Sequence, residues 1–376
     1  MIQRRCIGIF ILLLAIVFCS CHSDLKPKEI DEVIGSVDSL IANPGSDTSF
    51  VPVDTSIIRN FDVNLFNSSR FDETNIYSEN QIKTEKGQYW KANDYIGRSI
   101  DLGYTFVAPA NDTMRARPFV LLLHEGAFLF GNRGNEESKV KLLAQKGYAA
   151  ASIDYRIGFN GGREGFACEG NNMEVYQAIY RSVQDIYVAL HYFMDNSAKF
   201  GIDPRNVIIG GTSAGGIAAS AFLYMGEEDF EKLRPGIVKI LGKLDPYPNH
   251  TGFQIKALVT NLGYAIIQSS YISTANAKPT LFFQRTGDDI LAYEKGKLFF
   301  CNNYFYTEGA KNTSNKLESL GIPYELNYEP MSGHKIGYPE NYIMTRYAKF
   351  IKRIWGNDRR QIINENFTNI QNKTVR

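Results

Sequence analysis

A serine hydroxyl lies in a sequence context that could make it a nucleophile. Ser213 is the central residue of the run GTSAG at 211–215, which fits the pattern G-x-S-x-G. An apolar strand is predicted directly before this run, over 207–209, and an alanine-rich helix directly after it. A tight turn between strand and helix lifts one hydroxyl clear of the sheet, and the glycines leave room where side chains would collide. The helix N-terminus would also favour developing negative charge. The pattern therefore predicts Ser213 as a nucleophile.

A nucleophilic hydroxyl needs a general base, and the chain contains only five histidines. His22 lies in a polar N-terminal stretch, and His124 directly follows a predicted strand. His191 lies inside a long predicted helix, where a structural role is expected. His250 follows two prolines in a loop, and His334 lies in a Ser-Gly-His run between the last predicted strand and the last helix. The residues alone leave His334 and His250 as candidate bases.

Four motifs occur in a fixed order along the chain, namely HEGAF at 124–128, GTSAGG at 211–216, RTGDD at 285–289 and SGH at 332–334. Together they resemble the carboxylesterase and hormone-sensitive-lipase-like branch of the α/β-hydrolases, over roughly residues 75–356. Further matches to that branch are IDYR at 153–156, YRSVQD at 180–185 and GIDP at 201–204. The resemblance implies an α/β fold in which helices cover both faces of a mostly parallel central sheet.

The resemblance also assigns roles to the remaining site residues. The family order of nucleophile, acid and base favours His334 over His250 as the base. The segment 284–293 resembles the family's acid loop and gives Asp288 as the carboxylate that orients the imidazole, with Asp289 as the fallback.

The HEGAF run resembles the HGGGF oxyanion loop of esterases and lipases. It implies that the backbone amides of Gly126, Ala127 and Ala214 hold a tetrahedral oxyanion. Glu125 departs from the glycine pattern, and its carboxylate has to point away from that oxyanion.

The chemistry implied by the family is ester hydrolysis through an acyl-enzyme on Ser213, with no metal or cofactor. Some relatives remove acetyl or feruloyl groups from plant polysaccharides, so an acylated carbohydrate is one expected substrate. Two other functions remain open. One is a serine peptidase of the prolyl-oligopeptidase type, and the other is a surface glycan-binding protein without catalysis.

The elements that must position these residues follow from the apolar pattern. Strands are predicted at 100–107, 119–123, 148–154, 207–209, 257–260, 280–284 and 324–328. Helices are predicted at 136–146, 173–198, 214–225, after Tyr293, and at 342–354. Strands that alternate with helices indicate a mostly parallel sheet covered on both faces. The oligomeric state is not predicted.

The N-terminus has the pattern of an export signal. Two arginines precede an apolar run of about 12 residues, which is too short to span a membrane. Ser20-Cys21 resembles the end of a bacterial lipoprotein signal, so residues 1–20 are expected to be removed and Cys21 to carry the lipid. The alternative is an ordinary cleaved secretion signal. We expect an exported protein, lipid-anchored to a bacterial membrane.

The remaining organisation is a polar tether at 21–70, a catalytic domain at 71–357 and a polar tail at 358–376. The 376 residues carry a formal net charge of +1, which gives no basic footprint for nucleic acid. The aromatic fraction of 13% fits either a large core or a sugar-facing surface.

Cysteine usage is consistent with export. Three of the five cysteines lie at or before Cys21, which leaves Cys168 and Cys301 in the catalytic domain. A disulfide between them and two separate buried thiols are both compatible with the sequence.

Overall fold

The computed structural model of the chain describes residues 62–248, 251–365 and 374–375. The predicted signal 1–20, the proposed lipid attachment residue Cys21, and His22 and His250 lie outside these residues. No helix in the described part of the chain is long and apolar enough to cross a membrane.

The central sheet is built from ten strands. The strands of the structure are β1 Ile82–Asn93, β2 Ser99–Pro109, β3 Arg117–Leu123, β4 Ala149–Ile153, β5 Ile202–Thr212, β6 Ile255–Asn261, β7 Thr280–Gly287, β8 Lys295–Lys297, β9 Tyr306–Glu308, β10 Tyr324–Ser332, β11 Gln361–Glu365 and β12 Thr374–Val375. Their order in the central sheet is β1-β2-β4-β3-β5-β6-β7-β10-β11-β12, and β8 and β9 form a separate hairpin. Pairing is parallel from β4 through β11, while β1, β2 and β12 pair antiparallel.

Helices cover both faces of this sheet. They are α1 Val63–Asn67, α2 Glu137–Gln145, α3 Asn172–Asp195, α4 Ser197–Phe200, α5 Ala214–Tyr224, α6 Glu227–Leu233, α7 Ile237–Leu241, α8 Ala310–Ser319 and α9 Glu340–Trp355. One apolar cluster joins the sheet to α3, α5 and α8, and a second joins its opposite face to α1, α2 and α9. The predicted fold, a mostly parallel sheet between two helical layers, is therefore confirmed.

The central strands are the ones that the sequence identifies most clearly. Every residue of β3 is buried, and so is every residue of β5 from Asn206 to Thr212. Solid apolar runs are typical of strands that are covered on both faces. In register, Leu123 lies opposite Gly211, so these two strands end side by side.

The structure differs from the prediction in one strand and two boundaries. β1 was absent from the predicted strands because its residues alternate between partly buried and exposed positions at the sheet edge. The predicted tail 358–376 includes β11, which pairs with β10 in parallel, so the domain continues through it. The predicted tether 21–70 includes α1, where the amide of Asp62 donates to the carbonyl of Trp355.

The segment after Tyr293 also differs from its predicted form. A helix was expected there, but β8, a turn and β9 come first, and α8 begins only at Ala310. Cys301 lies in this insertion and forms a disulfide with Cys168, 133 residues away in sequence. Asn303 reinforces the join, because its side-chain amide donates to the carbonyls of Cys168 and Gly170 at 2.9 and 2.6 Å.

Breaking this disulfide is expected to destabilise the domain. Cys301→Ser should lower the free energy of unfolding by about 4 kcal/mol, because the unfolded chain regains the freedom of a loop longer than 100 residues. Urea denaturation of wild type and variant measures the loss. Reductant should cause a similar loss in the wild type and no further loss in the variant. A wild type whose stability does not respond to reductant would contradict the expectation.

Candidate active site

Ser213 lies on a sharp turn between β5 and α5. Its backbone has φ 50° and ψ −115°, a conformation that costs free energy for any residue except glycine. The turn also presses against the end of β3. A Cβ atom on Gly215 would lie 2.2 Å from the carbonyl oxygen of Leu123, so only glycine fits there. The predicted tight turn therefore exists, and close backbone contact with β3 holds it.

The structure brings together Ser213, His334 and Asp288, which the sequence had placed far apart. The imidazole Nε2 of His334 lies 2.9 Å from Ser213 Oγ. The Nδ1 atom of the same ring lies 2.9 Å from both carboxylate oxygens of Asp288. A continuous hydrogen-bonded chain thus runs from the carboxylate through the imidazole to the hydroxyl. Such a chain fixes the imidazole tautomer and gives the hydroxyl proton an acceptor.

The two neighbouring aspartates contact different parts of His334. Asp288 is almost fully buried, and its Oδ1 accepts from the amides of Ile290 and Leu291 at 2.9 Å each, which fixes the carboxylate beside the ring. Asp289 instead accepts from the backbone amide of His334 at 2.9 Å. Asp288 therefore contacts the imidazole, and the fallback Asp289 holds the backbone that carries it.

Gly263 is a residue of this site that the sequence analysis missed. It follows β6, and a Cβ atom there would lie 2.8 Å from Asp288 Oδ2 and 3.3 Å from His334 Cε1. Its lack of a side chain makes room for the ring and the carboxylate. No motif marks this glycine, because its neighbours come from distant parts of the chain.

The loop after β3 has an unusual backbone. Gly126, Ala127 and Phe128 all have positive φ, at 123°, 50° and 62°. The Phe128 side chain is fully buried, and its carbonyl accepts from the amide of Gly158 at 2.6 Å. Within residues 62–248 and 251–365, no backbone acceptor is found for the amides of Gly126, Ala127 and Ala214. The loop is thus held in a strained form with these three amides available.

His124 and Glu125, at the start of this loop, are engaged away from Ser213. The His124 ring stacks on Tyr155 at 4.2 Å between centroids, and burial lowers the pKa of His124, which favours its neutral form. The hydroxyl of Tyr155 donates to the His124 carbonyl at 2.9 Å. The carboxylate of Glu125 accepts from the Asn135 side chain at 2.9 Å. Glu125 therefore departs from the glycine pattern without competing for the loop amides.

The other described histidine is structural. His191, in α3, lies 3.0 Å from Asp245 and stacks on Tyr247. Among the residues that the structure describes, no group of three or more His, Cys, Asp or Glu side chains could hold a metal ion.

A disulfide-braced wall is hydrogen-bonded to the loop after β3 and to the segment after β6. We use this name for two segments, 158–172 after β4 and 293–309 after β7, which the Cys168–Cys301 bond joins. The first segment is fixed to the loop after β3 through Gly158. The second is fixed to the segment after β6, because Ile266 and Glu308 exchange backbone hydrogen bonds of 2.9 and 2.8 Å. The wall therefore runs between the strained loop and the region of Gly263.

Exposed aromatic rings are concentrated on this wall. Phe166, Phe300 and Tyr306 are 50%, 51% and 56% exposed, although most aromatic side chains of the domain are buried. Positively charged side chains lie against two of these rings. The guanidinium of Arg163 lies 4.1 Å from the Phe166 ring centroid, and Lys297 Nζ lies 5.1 Å from that of Tyr306.

Comparisons with known proteins find similar sequences and structures. Residues 106–279 match the BD-FAE family model. Esterase P of Drosophila melanogaster is 28% identical over 192 residues, which cover 50% of this chain and 34% of that protein. Esterase-5A of Drosophila persimilis is 30% identical over 166 residues, covering 44% of this chain and 28% of the relative. The chain thus spans about a third of the length of the curated relatives it matches.

A solved structure is also similar. Esterase 2 of Thermogutta terrifontis, phosphorylated by paraoxon, is 16% identical with a TM-score of 0.48, over 72% of this chain and 90% of that one. The chain therefore has a mostly parallel α/β sheet, and parts of it are similar to the BD-FAE family model and to curated esterases.

Proposed function

We propose that the protein is a serine carboxylic-ester hydrolase that forms an acyl-enzyme on Ser213. The observation that carries this proposal is the hydrogen-bonded chain from Asp288 through His334 to Ser213 Oγ, beside a loop of free backbone amides. The curated relatives named esterases support the same chemistry.

The reaction proceeds in two acyl-transfer steps. His334 Nε2 accepts the proton of Ser213 as the oxygen attacks the ester carbonyl, and Asp288 stabilises the imidazolium that forms. The imidazolium then protonates the leaving alcohol, and the acyl group stays on Ser213. Water attacks the acyl-enzyme with His334 again as the base, which releases the acid and restores the hydroxyl.

The amides of Gly126, Ala127 and Ala214 stabilise the oxyanion in both steps. Ala214 begins α5, so its amide has no partner within that helix and adds the favourable end of the helix dipole. A single donor of this kind contributes about 3 kcal/mol to transition-state stabilisation. The positive φ angles of the loop are established during folding, so the donors need no rearrangement when the charge develops.

The proposed substrate is an acylated carbohydrate that carries acetyl or feruloyl groups. The exposed rings of the disulfide-braced wall support this choice, because aromatic side chains pack against sugar rings and against aromatic acyl groups. A small ester would need only the Ser213 site. A polymer would also extend over the wall.

Two other functions would use the same domain differently. A prolyl-oligopeptidase-type enzyme would cleave a proline anilide and leave esters intact. A glycan-binding protein without catalysis would bind carbohydrate with no turnover. The intact chain of Ser213, His334 and Asp288 favours the hydrolase over the binding protein, since binding alone does not need a base within 2.9 Å of a hydroxyl.

We further propose that the protein is exported and anchored to a bacterial membrane through a lipid on Cys21, and that it does not bind nucleic acid. The support is the sequence of residues 1–21 and the near-neutral charge. Palmitate labelling should modify the wild type but not Cys21→Ser. Mass spectrometry that finds an unmodified Cys21 in the mature protein would reject the anchor.

Removal of the nucleophile or of its orienting acid tests the mechanism directly. Ser213→Ala should abolish the burst of p-nitrophenol from p-nitrophenyl acetate. Asp288→Asn should lower kcat by about 10⁴-fold, because the imidazole loses the partner that sets its tautomer. Asp289→Asn keeps an acceptor for the His334 amide and is the matched control, with a much smaller loss. Full turnover in Ser213→Ala would refute the mechanism.

Truncation of the exposed rings tests the substrate class. Phe300→Ala combined with Tyr306→Ala should lower turnover of acetylated or feruloylated xylan about tenfold, from two lost aromatic contacts. Turnover of p-nitrophenyl acetate should change less than about twofold. Phe66→Ala removes a ring of similar exposure on α1, which packs against the far end of α9. That control should leave both rates unchanged. Equal losses on polymer and small ester would argue against the wall as a binding surface.

A further inference from the structure

A closed polar cluster lies directly behind the nucleophile turn. It consists of Glu136, Lys139 and Thr212, and Thr212 is the residue before Ser213. The Thr212 hydroxyl donates to Glu136 Oε1 at 2.7 Å. Lys139 Nζ donates to the same carboxylate oxygen at 2.9 Å and lies 3.3 Å from the Thr212 hydroxyl. All three side chains are buried, with exposures of 0%, 6% and 3%.

This cluster lowers the stability of the folded state relative to an apolar core. Burial of two opposite charges costs desolvation free energy that their attraction only partly returns, and apolar residues of the same size would pack more favourably. Burial raises the pKa of Glu136 to about 7 even with Lys139 beside it, and the nearby Glu125 adds to that rise. The second carboxylate oxygen of Glu136 is also buried, without a hydrogen-bond partner in the described structure. Stability alone therefore does not account for the cluster.

The position of the cluster in the fold gives a reason for its presence. Glu136 and Lys139 come from the start of α2, which follows the strained loop after β3, while Thr212 ends β5. The cluster thus links two parts of the chain. One is the segment that follows the loop with Gly126 and Ala127, and the other is Thr212, directly before the strained turn. A positive-φ serine persists only where the surroundings over-determine it. The Thr212 hydroxyl is held from two sides, which fixes its rotamer and the backbone that precedes Ser213.

We propose that Glu136 and Lys139 are positioning residues that hold Thr212, and through it the strained turn of Ser213, against the amide-bearing loop. The inference rests on the proposed function of Ser213. It adds that the nucleophile is aligned by a buried ion pair which touches neither the substrate nor the imidazole.

The charged side chains near this cluster have hydrogen-bond or ion-pair partners of their own. Asn135 holds the carboxylate of Glu125, and Arg133 pairs with Asp154 on the other side of the turn that precedes α2. Ser138 donates to Glu340 of α9 at 2.6 Å on the outer side of the same helix. Thr212 therefore receives its contacts from Glu136 and Lys139 rather than from these groups.

Thr212→Val is the sharpest test, because it keeps the side-chain shape and removes both contacts. We expect kcat for p-nitrophenyl acetate to fall about 100-fold, since a small displacement of the nucleophile has effects of that size, while KM changes less than about twofold. The rate at which a fluorophosphonate labels Ser213 should fall with kcat. Thr212→Ser restores the hydroxyl and should return kcat to within about threefold of wild type.

The controls separate positioning from stability. Glu325, at the start of β10, forms ion pairs with Arg346 and Arg353 of α9, so Glu325→Gln should lower Tm without changing kcat. If Thr212→Val does not fold, Lys139→Met takes its place and should lower kcat about tenfold at constant KM, with the turn only partly released.

Wild-type kcat in a folded Thr212→Val or Lys139→Met variant would overturn the inference, and so would a Thr212→Ser variant as slow as Thr212→Val. A failure of the proposed function gives a different result. If Ser213 is not the nucleophile, Ser213→Ala retains turnover, regardless of the rates measured for the Thr212 variants.

Discussion

The backbone contact between the end of β3 and the start of α5 is the constraint on which the site depends. Gly215 lies so close to the Leu123 carbonyl that no side chain fits between them. The parallel register of β3 and β5 sets this contact, since Leu123 and Gly211 are partners at the ends of the two strands. The nucleophile turn and the loop after β3 consequently face each other at one edge of the sheet. A shift of one residue in that register would separate them.

The other half of the site depends on a second pair of strands. Gly287 at the end of β7 lies opposite Ser332 at the end of β10, and the amide of Gly333 donates to the Gly287 carbonyl at 2.9 Å. Asp288 and His334 follow these positions directly, so the sheet places the carboxylate beside the ring before any side-chain contact forms. β6 lies between the two strand pairs, and Gly263 after it leaves the gap through which the ring reaches Ser213.

How well the sequence predicted these parts depended on how local their signals are. The buried strands β3 and β5 were predicted because solid apolar runs are visible in a short window. The strands β1 and β11 were missed, because one face of β1 is exposed and β11 is only five residues long. Ser213 and His334 lie in short motifs. Asp288 and Asp289 are adjacent, however, and only the fold shows which of them reaches the imidazole. Glu136 and Gly263 carry no local signal, since Glu136 meets Thr212 across 76 positions of sequence.

Backbone strain is concentrated where the chemistry is proposed. Among the described residues, eight non-glycine residues have positive φ. Six of them belong to the site or its wall, namely Ala127, Phe128, Ser213, Leu262, Phe299 and Phe300. Each such residue costs about 1–3 kcal/mol and persists only if its surroundings hold it. The buried rings of Phe128 and Phe299, the disulfide at Cys301 and the hydroxyl of Thr212 are the holding contacts. The free energy of folding thus fixes this backbone in advance, so in the proposed reaction a substrate would meet donors and a hydroxyl that are already aligned.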